Sequence, residues 1–220
     1  MPECDYFRGT SLDSVNFDEG EVIAVIKKLK SNFTCGPESL PPVFFKQLKD
    51  VLCFPLMLVY KQLICIAYVP DVWKQGYIIP VHKKGPAYVC SNYRPISVTC
   101  VSSKILERIL YVTILEHLKL NNILYREQHG FVKGRSTLTN LLESLNDWTL
   151  TIQDKQSVAV IYIDFAKAFD VVSHEKLFLR LHSYGIRGSL LSWLKNFFPI
   201  VLIVLKLAQY YLNLLISLVE

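Results

Sequence analysis

The apolar run Val158 to Ile163 ends in Asp164, and Asp170 follows six residues later. A buried strand that delivers a carboxylate at its C-terminal end is a rigid way to hold a metal ion. Mg2+ favours one or two protein carboxylates plus substrate phosphates in near-octahedral geometry. The same pattern also arises when an Asp caps the next helix or begins a turn, so the residues alone leave both readings open. Gly134-Arg135-Ser136-Thr137 stands just before a helical stretch. Backbone N–H groups there suit a phosphate, although a Ser or Thr in that place usually serves only as the N-cap. The cysteines at 4, 35, 53, 65, 90 and 100 form no CxxC pair and no Cys/His cluster at zinc-ligand spacing. No histidine makes a nucleophilic triad with Ser or Cys, and His174 reads as a packing residue at a helix start.

Several elements must position these groups. Asp18 and Glu21 have capping-box spacing, and Val22, Ile23, Val25, Ile26 and Leu29 then fit one helical face. Pro41-Pro42 opens a second helical stretch that Pro55 is expected to interrupt and Val69-Pro70-Asp71 to end. Tyr77 to Val81 reads as extended, with Pro80 placing it on a sheet edge. Ile105 to Leu115 and Leu138 to Trp148 read as amphipathic helices, the second starting near Ser136-Thr137. Val158 to Ile163 reads as a buried strand. Ser173 to Tyr184 reads as a helix stopped by Gly185. Helix and strand mix without regular alternation and without internal repeats, which predicts an α+β fold.

The 220 residues are 51% apolar and 20% charged, which excludes disorder and low complexity and allows a sizeable core. The net charge of +5 permits a polyanionic partner without demanding one. Residues 1–5 show no secretory signal pattern, so reduced thiols and a nuclear or cytoplasmic location are expected.

The run YIDFAKAFD at 162–170, followed by VVSHEKL and GIRGSLLSWLKNF, resembles the first palm motif of non-LTR (LINE-type) retrotransposon reverse transcriptases. Upstream, WKQGYIIPVHKKG, SNYRPISV with SKILERIL, and QHGFVKGRST resemble the successive fingers motifs in order. KKLKSNFTCGPESLPPVFFK resembles the region before the fingers. Together these cover about residues 22 to 198. The resemblance implies a right-hand polymerase fragment, fingers plus the first part of the palm, lacking thumb and the rest of the palm. Residues 1–70 would be a helical region leading into the fingers, 71–153 the fingers, 154–198 the start of the palm, and 199–220 a divergent apolar tail.

The resemblance also implies roles. Asp164 would be the first catalytic carboxylate, bridging two Mg2+ ions with the Phe165 backbone carbonyl as a further ligand. Lys83, Lys84 and Arg94 would bind the dNTP triphosphate, since Arg forks onto phosphate and Lys adds point charge. Phe169 would crowd a ribose 2′-OH, although core packing would equally explain an aromatic there. Gln128, Gly130, Phe131 and Arg135 would contact the RNA template or DNA primer. Asp170 reads as a structural cap. No protein partner is implied.

Three departures stand out. Gly36-Pro37-Glu38-Ser39 replaces the family's usual Gly-Pro-Asp-Gly. No Ala-Asp-Asp hairpin or Pro-Gln-Gly loop occurs, and beyond Asp170 the only acidic residues are Glu175 and Glu220. Weak or absent Mg2+ binding and no polymerisation by this chain alone are therefore expected, with a non-catalytic nucleic-acid-binding relic as the rival reading. Finally, residues 199–220 are read as resembling nothing in the family: a frameshift product, a buried helix, or a membrane helix over 197–219. Lys206, Gln209 and Asn213 disfavour the last.

Overall fold

The computed structural model describes residues 9–165, 168, 171–198, 202–207 and 210–212. Two compact units emerge. One comprises residues 1–117 with 174–220, and the other Leu118–Ser173.

In the first unit, α1 (Glu19–Lys27) starts at the predicted capping box. Asp18 Oδ1 accepts from the Glu21 amide (2.9 Å), and Glu21 Oε2 accepts from the Asp18 amide (3.0 Å). Its predicted apolar face is the one that packs, with Val22 and Ile26 fully buried. Pro42 then occupies the first turn of α2 (Pro42–Gln47), where its missing N–H has no intrahelical partner to lose. The expected interruption at Pro55 lies instead at Leu48, which separates α2 from α3 (Lys49–Cys65). Pro55 sits inside α3 on its exposed side. The carbonyl of Val51, also exposed, is thus the one deprived of its N–H partner, at a place where burial does not penalise it.

The sheet follows. β1 (Gln75–His82) pairs antiparallel with β2 (Tyr93–Val98) and, over Gln75–Ile78, parallel with a later strand. Of the predicted extended segment, Tyr77 and Ile78 are therefore interior, which corrects the edge reading there, whereas among the described residues Ile79 to Val81 pair on one side only, as read from Pro80. Pro80 faces Pro95 across the hairpin. Lys83 N–H donates to the Asn92 carbonyl (2.7 Å), so alternation makes Pro80/Pro95 a non-hydrogen-bonded pair. Neither missing N–H is then taken from the β1–β2 ladder.

Next comes α4 (Val101–Leu120), whose residues Val101, Ile105, Leu106, Ile109 and Leu110 are buried in the core. No acidic residue occupies its first turn. Glu38, far away in sequence, supplies the carboxylate. Its Oε1 accepts from the amides of Val101 and Ser102 (3.1 Å to the latter), and its Oε2 from the Ser102 hydroxyl. This is N-capping by a distant anion, favoured by unpaired amides and the helix dipole. Gly36 makes the approach possible, because a Cβ there would stand 2.4 Å from the Thr99 carbonyl oxygen. Tyr60, buried and donating to the Ser102 carbonyl (2.8 Å), has its phenol pushed well above the usual range by burial and then by Glu38. The same two causes push the Cys100 thiol up to about 11. Burial also holds the Glu107 carboxyl above its ordinary range, against the opposing pull of the Ser103 hydroxyl, 2.6 Å away.

The second unit contains α5 (Thr137–Gln153), where a helix is predicted from Ser136-Thr137, but no α5 residue is buried. The expected buried strand at Val158 to Ile163 is not formed. The segment is irregular, with Ile161, Tyr162 and Ile163 exposed by 84%, 85% and 77%. Among the described residues no strand lies beside it, and a lone strand leaves its N–H and C=O groups unpaired.

The chain re-enters the first unit at α6 (His174–Ser183), which ends before Gly185 at φ +81°. His174 packs its ring against Phe178 and Phe198 at 6.4 and 5.7 Å, as a helix-start packing residue should. His117, near the end of α4, donates from Nε2 to the Tyr184 carbonyl (2.7 Å). Then α7 (Gly188–Phe197) buries Leu190, Leu191, Trp193 and Leu194. β3 (Leu202–Leu207) and β4 (Tyr210–Leu212) complete a sheet of order β2-β1-β3-β4. The described part of the tail is therefore strand, which corrects both helical readings over residues 202–207 and 210–212. Within β3 the β-branched Ile203 and Val204 suit a strand, and Leu202 to Leu205 pair with β1. Among the described residues no helix is long and apolar enough to cross a membrane. The five described cysteines are free thiols.

The departure at Ser39 carries a cost. Its φ is +59°, a left-handed conformation that glycine adopts without strain. Ser39→Gly is expected to stabilise the chain by about 0.5–1 kcal/mol, after subtracting the greater freedom of glycine in the unfolded state. Urea denaturation of the two proteins checks this, and a lower midpoint for the glycine variant would refute it.

Candidate nucleic-acid interface

Lys83, Lys84 and Arg94 all lie on the β1–β2 hairpin and all are exposed. Arg94 pairs with Val81, and Lys83 lies two residues beyond Val81, so alternation puts Lys83 and Arg94 on one face. The connecting loop is tightly made. His82 Nε2 donates to the Gly85 carbonyl (2.8 Å), Asn92 Nδ2 to that of Pro86 (2.9 Å), and the Tyr93 hydroxyl to that of Ala87 (2.8 Å). A carbonyl can only accept, so the His82 proton is on Nε2. The hairpin thus offers three cations on a fixed frame, an arrangement suited to phosphate oxygens.

Gln128, Gly130, Phe131 and Arg135 lie together in the loop before α5. Arg135 Nη1 donates to the carbonyls of Arg126 and Gln128 (3.3 Å to the latter), and Gln128 Nε2 to that of Gly130 (2.9 Å). Arg135 therefore helps close the loop that it was expected to offer to nucleic acid. Ser136 is the N-cap of α5, in a reciprocal box with Thr139, as the simpler reading of that serine anticipates. A hollow of about 330 Å³ opens here, lined by His129, Gly130, Phe131, Arg135, Ser136, Thr137 and Asn140. With an arginine and a helix N-terminus at its wall, it suits an anionic oxygen.

His129 has no role in the sequence reading, yet it organises this loop. Its Nδ1 meets Thr139 Oγ1 at 2.9 Å and its Nε2 meets Glu143 Oε2 at 2.6 Å. The available signal is the spacing of Thr139 and Glu143, four apart and hence on one face of α5.

Asp164 and Phe165 are exposed on the irregular segment that follows α5. Phe169 and Asp170 lie outside the described residues. Among the described residues no three His, Cys, Asp or Glu side chains gather to hold a metal. One carboxylate and one carbonyl do not make a site for two Mg2+ ions, which repel each other and part reluctantly from water. The residues present do not fit that pair.

Comparison with known proteins gives this geometry its context. The family described as reverse transcriptase (RNA-dependent DNA polymerase) matches residues 81–214, more than half of the chain. The chain belongs to the reverse transcriptase family. Its relatives place it with the non-LTR type. It is 29% identical over 166 residues to the probable RNA-directed DNA polymerase from transposon X-element of Drosophila melanogaster (75% of this chain, 18% of the relative). It is 28% identical over 159 residues to the RNA-directed DNA polymerase from mobile element jockey of the same fly (71% and 17%). The Pol polyprotein from the type-1 retrotransposable element R2 of Popillia japonica is 29% identical over 119 residues (54% and 16%). The chain thus spans less than a fifth of the length of these relatives. The reverse transcriptase match continues past Phe198 to residue 214, which corrects the expectation that the tail resembles nothing in the family.

Within this reverse transcriptase segment, the His129 contacts hold the loop onto α5. His129→Ala is expected to cost about 0.5–1.5 kcal/mol, and to speed amide hydrogen exchange across residues 126–135. Exchange unchanged from the wild type would show that Arg135 alone holds the loop.

Proposed function

We propose that this chain forms the fingers and first palm segment of a non-LTR reverse transcriptase. It contributes template, primer and dNTP contacts, and one catalytic carboxylate, to DNA synthesis on an RNA template. The observation that carries this reading is the order in which one continuous family match takes in the basic hairpin, the Gln128–Arg135 loop and Asp164. Lys83, Lys84 and Arg94 neutralise the incoming triphosphate, and in the chain alone, without a dNTP, the same cations meet the phosphates of a bound strand. Phe169 crowds the 2′-position of a ribonucleotide. Gln128, Gly130, Phe131 and Arg135 track the backbone of template or primer. Asp164, with the Phe165 carbonyl, belongs to the metal-binding set of the assembled polymerase, whose family generally uses Mg2+. In phosphoryl chemistry of this kind positioning and charge do most of the work.

These 220 residues carry too few carboxylates after the strand-like run to complete that set, so the chain by itself binds nucleic acid without extending a primer. A second reading, a nucleic-acid-binding segment with no catalytic role, is supported by the exposed Lys83, Lys84 and Arg94 on the ordered hairpin.

Two measurements separate them. Primer extension on an RNA template, using a complete polymerase that contains this segment, is expected to be lost on Asp164→Asn. Retained incorporation would remove Asp164 from the catalytic set. Filter binding of the chain alone to an RNA–DNA hybrid is expected to weaken steeply between 50 and 200 mM salt, with a log–log slope reduced by about 2 in the Lys83→Ala/Lys84→Ala double variant. Salt-insensitive binding, or none at micromolar protein, would reject the nucleic-acid contacts themselves.

A further inference from the structure

The loop between β1 and β2 holds a residue that none of the roles above uses. Tyr88 is 87% exposed, among the most exposed large side chains of the described chain. It follows directly on three successive residues, Gly85, Pro86 and Ala87, whose carbonyls are each taken by a side chain from the hairpin: His82, Asn92 and Tyr93. Backbone bonds close the rest of the turn, from Val89 N–H to the Pro86 carbonyl (3.2 Å) and from Asn92 N–H to that of Val89 (3.0 Å). Gly85 has φ +82°, and a Cβ there would stand 2.6 Å from Asn92 Nδ2, so the clamp leaves no room for a side chain. The His82 and Tyr93 rings meet edge to face at 5.2 Å beneath the loop. An aromatic ring is thus presented to solvent on a backbone that is already ordered, four residues from Lys84.

We propose that Tyr88 is a base-stacking residue for single-stranded nucleic acid held on the hairpin by Lys83 and Lys84. The proposal rests on the nucleic-acid reading of this chain and adds a residue to it. Two physical points favour the assignment. Single-strand binding combines cations that follow the backbone with aromatic faces on which unstacked bases lie, whatever their sequence. The backbone that carries the ring is ordered before binding, so the stacking energy is not spent on ordering the loop. A duplex offers no free base face, which makes single strands the partner and leaves duplex binding to the cations alone.

The test uses the whole 220-residue chain with a 20-nucleotide single-stranded RNA and the corresponding RNA duplex, titrated across a salt series. Tyr88→Ala is expected to weaken single-strand binding about tenfold. It should leave the salt slope unchanged, because no charge is removed, and leave duplex binding as it was. Tyr88→Phe keeps the ring and should bind like the wild type, whereas Tyr88→Leu, apolar without a π-face, should behave like the alanine variant. Equal single-strand affinity for wild type and Tyr88→Ala, or equal loss on single strand and duplex, overturns the stacking role alone. Failure of the wild type to bind either RNA overturns the underlying nucleic-acid reading, and the stacking role with it.

Discussion

A carboxylate from the N-terminal part of the chain starts the helix on which the first unit is built. The first amides of α4 have no acceptor within their own helix, and Glu38 provides one from 63 residues away. The consequences run in both directions along the chain. On one side, the loop bearing Glu38 must lie against Thr99 and Cys100 so closely that only glycine fits at position 36. On the other, α4 carries its apolar stripe into the core, where α3 and α7 also pack, and ties its far end to Tyr184 through His117. The β1–β2 hairpin leads straight into α4, so the anchor at Glu38 also fixes the base of the hairpin that carries Lys83, Lys84 and Arg94.

The hairpin and the loop before α5, each within its own unit, are ordered by different means. The hairpin loop is made rigid by its own neighbours in sequence, and its cations take no part in the side-chain bonds that clamp its carbonyls. The loop before α5 is held by His129 and by Arg135, one of the residues expected to serve nucleic acid. There, holding the loop and meeting a phosphate compete for the same guanidinium. An arginine can serve both, since its planar fork has donors on separate nitrogens.

What could be read from the sequence follows the range of each interaction. The Asp18/Glu21 box, the apolar face of α1, the start of α5 and the stop at Gly185 are decided within a few residues, and the structure agrees with each. The wrong expectations depended on partners far away. Pro80 suggests an edge for the whole segment, and it holds at Pro80, yet Tyr77 and Ile78 are bordered on both sides because β3 arrives from more than a hundred residues later. Residues 158–163 have the composition of a buried strand, but no neighbouring strand stands beside them among the described residues. The tail is apolar enough for a helix, and it is the distant pairing with β1 that makes Leu202–Leu207 a strand. In the site, charged and glycine positions stood out by type, whereas His129 and Tyr88 acquire meaning from what touches them, or from what does not.

The facing prolines of the hairpin have an effect on the outside of the sheet as well. β2 is a border strand, and the alternation that turns Pro95 away from β1 points its nitrogen toward the open margin. An approaching extended chain would meet a missing donor in the middle of a six-residue strand. Prolines so placed are a means by which open sheet margins avoid self-association. The hairpin can therefore project its basic face into solvent without also serving as a template for another copy of itself.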